Sequence, residues 1–118
     1  MKRRKRLENI VEKIEDIEYF VEQKNGKIVA ALHDRILRPA IRMQIVAIAE
    51  QFQRLKDENE FKLLENFSNE ELRGLAAVRN YIAHDYDSVD DHILELVIRI
   101  HLPKIKEKVQ RILAELSN

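Results

Sequence analysis

The sequence contains no cysteine, only two glycines and two prolines, and no excess of charge of either sign. Without cysteine, a disulfide framework and cysteine-based zinc or nucleophile chemistry are excluded, and a reducing compartment such as the cytoplasm is favoured. A β-sandwich or barrel needs a turn about every 8–12 residues, so the scarcity of turn-forming residues argues against both. Basic and acidic residues both number 21, so any nucleic-acid role must come from a local site.

Long hydrophobic runs are also absent. No apolar run approaches about 18 residues, and the basic start is followed by Leu7-Glu8-Asn9 rather than by the apolar segment of a signal peptide. We therefore expect neither a membrane span nor export. What the chain does have is 36% charged and 45% hydrophobic residues, the balance typical of amphipathic helices. At 118 residues, the sequence predicts a single all-α domain over residues 1–118.

In the first half of the chain, apolar residues repeat at helical spacing and predict one buried stripe in the first helix and one in the third. The first stripe consists of Leu7, Ile10, Ile14, Ile17 and Val21, and the second of Ile41, Ile45, Ile48, Phe52 and Leu55. Asn25-Gly26 ends the first predicted helix, because glycine adopts the left-handed conformation at little cost. Pro39 restricts Arg38 to extended conformations and suits the start of the third helix, which should end in the polar stretch 56–60. The first two helical segments are expected over residues 5–24 and 27–37.

The second half predicts two further helical regions. Ser68 and Glu71 form a capping box that opens a fourth helix. A polar break follows over 85–90, with Asp90 as a candidate N-cap. The last region, residues 93–116, contains Pro103, where we expect a kink or two abutting helices. The architecture predicted is an antiparallel bundle of four main helices plus a shorter one.

Arg79 interrupts the apolar pattern of the fourth helix. On a helical wheel it falls in the middle of an apolar face made by Leu72, Leu75, Ala76, Ile82 and Ala83. A lone buried guanidinium is costly, so Arg79 must meet a carboxylate, reach water in a cleft or face another subunit. One interpretation is a structural ion pair with Glu50 of the third helix, and the other is a functional cation.

His84 and Tyr86 follow Arg79 by five and seven residues. In an unbroken helix, Arg79 and His84 point about 140° apart and lie about 7.5 Å apart along the axis. They converge only if the helix loosens near His84 or if symmetry brings two copies of the chain together. The spacing alone also allows a capping or surface role for His84, and for Tyr86 a ring packed at the helix end.

The run Arg79-Asn80-Tyr81-Ile82-Ala83-His84-Asp85-Tyr86 resembles the Arg-x4-His-x-Tyr motif of the HEPN superfamily, specifically the HepT-like toxins of HEPN/MNT toxin–antitoxin pairs. Residues 40–50 are similar to the second core helix of that family with its acidic residue. Val89-Asp90 and Leu102-Pro103-Lys104-Ile105-Lys106 resemble its C-terminal helices. The chain departs from the pattern at Ala49, where glycine is usual, at Pro39, where a polar residue is common, and in having no tryptophan before the motif.

The resemblance implies a HEPN-type bundle and a metal-independent endoribonuclease toxin of a type VII-like toxin–antitoxin pair, with no cofactor. In this reaction the ribose 2′-OH attacks the adjacent phosphorus. His84 would exchange the proton near neutral pH, and Arg79 would stabilise the phosphorane charge. Asn80 would support them by hydrogen bonds, and Arg79 and His84 of two chains would line one cleft of a homodimer or higher oligomer.

The resemblance further implies an antitoxin partner, a nucleotidyltransferase of the MNT type, which transfers AMP to Tyr86 and so blocks the RNA site. Two other functions stay open. One is a non-catalytic helical module that binds nucleotide or a nucleotidyltransferase, and the other is a structural dimerisation bundle in which Arg79 is simply ion-paired.

Three other features have less specific interpretations. The basic run Lys2-Arg3-Arg4-Lys5-Arg6 is either a frayed terminus or an arm for RNA phosphates or a partner. The acidic pairs Glu70-Glu71 and Asp90-Asp91 stand at helix starts, where the helix dipole favours them. The remaining histidines lie too far apart in sequence for a helical metal pair, so no metal is assigned to His33, His92 and His101.

Overall fold

Two helices of 21 residues, α1 (Lys2–Glu22) and α3 (Leu37–Asp57), pack along each other at the centre of the computed structural model. The structure describes residues 2–84 and 91–116, without the side chains of residues 83 and 84. Between them lies the short α2 (Ile28–His33), and α4 (Phe61–Leu64) follows α3. The remaining elements are α5 (Asn69–His84), α6 (Asp91–Leu96), a π-helical segment (Val97–His101) and α7 (Leu102–Leu116). Within the described ranges every regular element is helical, and the all-α prediction is confirmed.

The core is built on the two apolar stripes that the sequence predicted for α1 and α3. In α1 the buried residues are Leu7, Ile10, Ile14, Ile17 and Val21. In α3 the buried apolar residues include Ile41, Ile45, Ile48, Phe52 and Leu55. Helix α5 packs against the other side of α3, and α7 packs against α1. Burial of these side chains is the main favourable term in folding, which explains why the stripes set the architecture.

Helix α1 begins at Lys2, so the basic run forms its first turns rather than lying outside the helix. The Arg6 guanidinium donates two hydrogen bonds to the Glu58 carboxylate just beyond α3, at 2.9 and 3.0 Å. Arg3 lies 3.8 Å from a carboxylate oxygen of Glu60. The run therefore ties α1 to the α3–α4 connection. At its other end α1 stops as predicted, because Asn25 and Gly26 have positive φ and Gly26 N donates to the Val21 carbonyl.

The start of α3 differs from the prediction. Arg38 is helical rather than extended, and α3 begins two residues before Pro39. The cause is Asp34, whose carboxylate accepts hydrogen bonds from the backbone N–H groups of Ile36 and Leu37 at 2.8 and 2.9 Å. These bonds, with a further one from Lys24, lower the pKa of Asp34 to about 2. The side-chain cap fixes the helical start and outweighs the bias that proline places on its predecessor.

The region around Pro103 divides as expected into abutting helices. Pro103 is the second residue of α7, and the turn before it is π-helical, with Leu102 N donating to the carbonyl of Val97, five residues back. In a regular α-helix the proline ring would press on the carbonyl four residues earlier, and the wider π turn relieves that contact.

The predicted break over 85–90, with Asp90, lies outside the described residues. None of the helices in the described ranges combines the length and hydropathy that crossing a bilayer requires.

Candidate active site

Helix α5 carries the first part of the Arg-x4-His-x-Tyr motif, and its buried face is rotated from the predicted one. Glu71, Leu75, Val78 and Ile82 face the core. Arg79 is therefore not in the middle of the buried face, and its side chain is 44% exposed to solvent. The prediction failed because the wheel omitted Val78, which is fully buried and shifts the centre of the apolar stripe away from Arg79.

The predicted partner of Arg79 is confirmed. Arg79 Nε lies 3.9 Å from Glu50 Oε1 on α3, and the Glu50 side chain is also 44% exposed. At this distance the contact is an ion pair longer than a hydrogen bond, and water screens it. Glu50 therefore places the guanidinium at the α3–α5 edge while leaving its N–H groups accessible to an anion.

The rest of the motif extends from Arg79 toward the end of α5. Asn80 is exposed, and the backbone stays helical from Asn69 through His84. The helix does not loosen between Arg79 and His84. The His84 side chain and the whole of Tyr86 lie outside the described residues.

The start of α5 is held by a buried carboxylate. Ser68 N donates to Glu71 Oε1 at 2.7 Å, and Glu71 N donates to Ser68 Oγ at 3.1 Å, which confirms the predicted capping box. Lys108 Nζ of α7 also donates to Glu71 Oε1, at 2.7 Å. Burial alone would raise the pKa of Glu71, but the hydrogen bonds from Lys108 and Ser68 outweigh it, and the pKa is lowered. Glu71 is thus both a cap, as predicted, and the tie between α5 and α7, which spacing could not reveal.

A second charged cluster lies at the far side of the break, where α6 begins. An Asp91 carboxylate oxygen lies 3.3 Å from Arg38 and 3.9 Å from Arg42, and the other oxygen lies 3.7 Å from His33 Nε2. Arg42 is only 2% exposed. Helix α3 therefore contacts α5 at Glu50 and the start of α6 at this cluster. The cluster was missed, although Arg38 and Arg42 stand four residues apart on a helix, a spacing that places two side chains on one face.

The histidines outside the motif do not gather into a metal site. His33 is exposed beside Asp91, His92 is exposed, and His101 is half-buried with its ring against Gly74. Among residues 2–84 and 91–116, no three histidine or carboxylate side chains are arranged to hold a metal ion.

In a comparison with protein families, residues 10–112 match the model of the HepT-like family, which is described as "Ribonuclease HepT-like". Comparison with curated proteins and comparison with solved structures each gave no match. The matched stretch contains all of Arg79-Asn80-Tyr81-Ile82-Ala83-His84-Asp85-Tyr86 and all the helices from α2 to α6. The chain belongs to the HepT-like ribonuclease family.

Proposed function

We propose that this protein is a metal-independent endoribonuclease and acts in the cytoplasm as the toxin of a type VII-like toxin–antitoxin pair. The observation that carries the proposal is the placement of Arg79. It is an accessible guanidinium on α5, loosely held by Glu50, five residues before a histidine that ends the same helix. In a chain of the HepT-like ribonuclease family, this pair matches the chemistry of RNA cleavage.

In the proposed reaction the ribose 2′-oxygen bonds to the adjacent phosphorus as its proton passes to an imidazole. The bond from phosphorus to the 5′-oxygen breaks, and that oxygen takes up a proton. His84 supplies both proton transfers, because histidine titrates near neutral pH. Arg79 stabilises the extra negative charge on the phosphorane, because guanidinium is always charged and matches the geometry of phosphate oxygens. RNA is the substrate rather than DNA because the nucleophile is the 2′-OH.

The proposed active unit is a homodimer. Within one unbroken helix, Arg79 and His84 diverge by about 140°, so one chain does not aim both at a single phosphate. A two-fold axis near the end of α5 would bring the Arg79 and His84 side chains of two copies to one cleft. Asn80, which is exposed next to Arg79, would hold a phosphate oxygen or the imidazole by a hydrogen bond.

Control of the proposed toxin rests with a nucleotidyltransferase antitoxin of the MNT type that transfers AMP from ATP to the Tyr86 hydroxyl, with pyrophosphate as the leaving group. An added phosphodiester and nucleoside two residues beyond His84 would occupy the place of the substrate phosphate beside Arg79. A neutral tyrosine would become an anionic, bulky group that competes with RNA for the same cation.

The catalytic assignment is tested by His84→Ala. We expect RNA cleavage to be lost while helicity and oligomeric state stay unchanged, and expression of the variant should no longer arrest growth. His33→Ala, at an exposed histidine outside the motif, is the matched control and should keep cleaving. Cleavage by His84→Ala would refute the assignment. A wild-type protein that neither cleaves RNA nor arrests growth would instead favour the non-catalytic binding module.

The regulatory assignment is tested by mass spectrometry after incubation with the partner nucleotidyltransferase and ATP. We expect an AMP adduct on the peptide that contains Tyr86, and no adduct in Tyr86→Phe. Tyr81→Phe changes another exposed tyrosine of the same motif and should leave the adduct in place. An adduct elsewhere, or none, would remove this part of the proposal without affecting cleavage.

A further inference from the structure

A groove runs between α3, α4 and α5 on the side of the bundle that carries Arg79. Its volume is about 330 Å³, within the range of sites that take small ligands. Apolar side chains make most of its walls, and at one end stands Phe61 of α4, which is 55% exposed. The lining residues are Ala49, Phe52, Gln53, Lys56, Phe61, Leu64, Leu72, Arg73, Leu75 and Ala76.

The charged side chains that line this groove are all positive. Lys56 and Arg73 are its charged lining residues, although acidic and basic residues are equally frequent in the chain. In the described part of the chain, no carboxylate lies within ion-pair distance of either cation, whereas Arg3, Arg6, Lys106 and Lys108 all have acidic partners. Among the described residues, the two cations of the groove lining thus have no carboxylate within ion-pair distance.

The groove opens toward the candidate active site. Ala49, in its wall, precedes Glu50 on α3, and Ala76 lies three residues before Arg79 on α5, about 4.5 Å along the axis. Arg79 and Glu50 thus stand at one end of the groove and Phe61 near the other. A polynucleotide whose phosphate lies at Arg79 has its neighbouring nucleotide within reach of the groove.

We propose that this groove binds an unpaired base of the RNA next to the scissile linkage, with the base stacked on Phe61 and with Lys56 and Arg73 on the flanking phosphates; the proposal rests on the proposed ribonuclease function. Cationic grooves with exposed aromatic side chains are the usual means of binding single strands, because every base offers a π-face and every linkage a charge. Paired bases in an RNA duplex keep their faces stacked inside the helix and would not enter.

A second copy of this chain fits the groove less well. An isologous two-fold contact places the same patch on both sides, so Lys56 and Arg73 of the two copies would approach each other. Burying like charges together without carboxylates is costly. A phosphodiester supplies the negative charge that the groove lacks.

The test is RNA binding, measured by fluorescence anisotropy with a labelled single-stranded oligonucleotide in the His84→Ala background, which keeps the RNA intact. We expect Phe61→Ala to weaken binding about tenfold and Phe61→Trp to retain it, since stacking needs an aromatic ring. Arg73→Gln should reduce the slope of log affinity against log salt by about 0.7, the value for one phosphate contact on a single strand. Tyr19→Ala removes an aromatic side chain that is 64% exposed and lies outside the groove, and it should bind as the parent does.

A second measurement identifies the base. Oligonucleotides in which one nucleotide at a time is abasic should include one position where the parent loses affinity about tenfold. Phe61→Ala should lose little at that same position, because the stacking partner is already absent.

Three outcomes would overturn the groove assignment. The first is unchanged RNA affinity in Phe61→Ala, and the second is no RNA binding by the parent at all. The third is conversion of a dimer to a monomer by Phe61→Ala in light scattering, which would make the groove an interface between copies. If the wild type cleaves RNA but Phe61→Ala binds normally, only the groove assignment fails. If the wild type cleaves nothing but Phe61→Ala weakens RNA binding, the proposed ribonuclease function fails, and the groove keeps only its role in binding single-stranded RNA.

Discussion

The two ends of helix α5 are held in opposite ways. At its start, Glu71 is 2% exposed and accepts hydrogen bonds from Ser68 N and Lys108 Nζ, both at 2.7 Å. Toward its end, Arg79 is nearly half exposed and lies 3.9 Å from Glu50. The same helix thus begins in a buried charge network and ends in a loosely held, accessible one.

Under the proposed function, this difference separates stability from chemistry along one helix. A buried carboxylate that has lost its partner is expensive, so the Glu71 end resists change and fixes the direction of α5. A solvent-screened ion pair contributes little to folding, and under the proposed function Arg79 can exchange its carboxylate partner for a phosphate. The anchored end gives the accessible end a defined position.

Arg79→Gln should produce the largest effect and affect activity alone. We expect RNA cleavage to fall at least about 100-fold, because a positioned donor to the transition-state charge is lost. The free energy of unfolding should stay within about 0.5 kcal/mol of the parent, because the Glu50 contact is exposed and long. Urea denaturation and a cleavage assay check both halves. Arg111→Gln, on the exposed side of α7, is the control, and a large loss of stability in Arg79→Gln would abolish the contrast between the two ends.

Glu71→Gln should produce the opposite pattern. Removing one partner from the buried Glu71–Lys108 pair should cost about 2 kcal/mol of unfolding free energy, less than for a fully buried pair because Lys108 is partly exposed and can turn to water. Cleavage per folded molecule should change less than twofold. Glu70→Gln alters the exposed neighbour in the same turn and should be nearly neutral in urea denaturation. Loss of activity without loss of stability would show that Glu71 belongs to the site rather than to the scaffold.

Acid should act on the anchored parts of the molecule. The pKa values of Glu71, Asp34 and Glu58 are lowered, from ordinary values of 4.5 for the two glutamates and 3.8 for Asp34. A lowered folded-state pKa means that the unfolded chain binds more protons, so stability is present above the ordinary pKa and is lost as pH falls through the folded one. Urea midpoints should therefore decrease from about pH 5 toward pH 2. In Glu71→Gln the decrease should be shallower, and an equally steep decrease would contradict the Glu71 assignment.

Gly74→Ala should produce the smallest effect, a stabilisation. Gly74 lies inside α5, and a Cβ built there would meet His101 Cδ2 at 3.7 Å, an ordinary van der Waals contact. Alanine is favoured over glycine in a helix interior by about 0.5–1 kcal/mol, so the unfolding free energy should rise by about that amount. Thermal denaturation measures it, and a decrease would show that the α5–π-segment contact is tighter than its geometry indicates.

Helical periodicity and capping rules predicted the features of this molecule that depend on residues close together in sequence. The stripes of α1 and α3, the stop at Gly26 and the Ser68–Glu71 box each depend on residues a few positions apart, and all were confirmed. Glu50 was found as the partner of Arg79 because few carboxylates on the third helix were within reach.

The parts that failed depend on contacts between distant residues. Lys108 reaches Glu71 across 37 positions, and no periodicity connects them. Arg38 is helical because the Asp34 carboxylate caps the start of α3. The effect of Pro39 on the preceding residue, taken alone, predicts an extended Arg38 and is wrong. Arg79 is exposed because Val78, rather than Arg79, lies at the centre of the buried face of α5. The four-residue α4, which contains Phe61, is too short to show helical periodicity in the sequence.

The π turn before Pro103 also has a consequence for insertions and deletions. It takes up one more residue than an α turn would, and so it sets the phase with which Ile105 and Val109 meet the core. Deleting a single residue from Val97–His101 would convert the π turn to an α turn, and the Pro103 ring would then press on the carbonyl four residues earlier. The last helix thus tolerates substitution along its outer side far more readily than a change in length ahead of it.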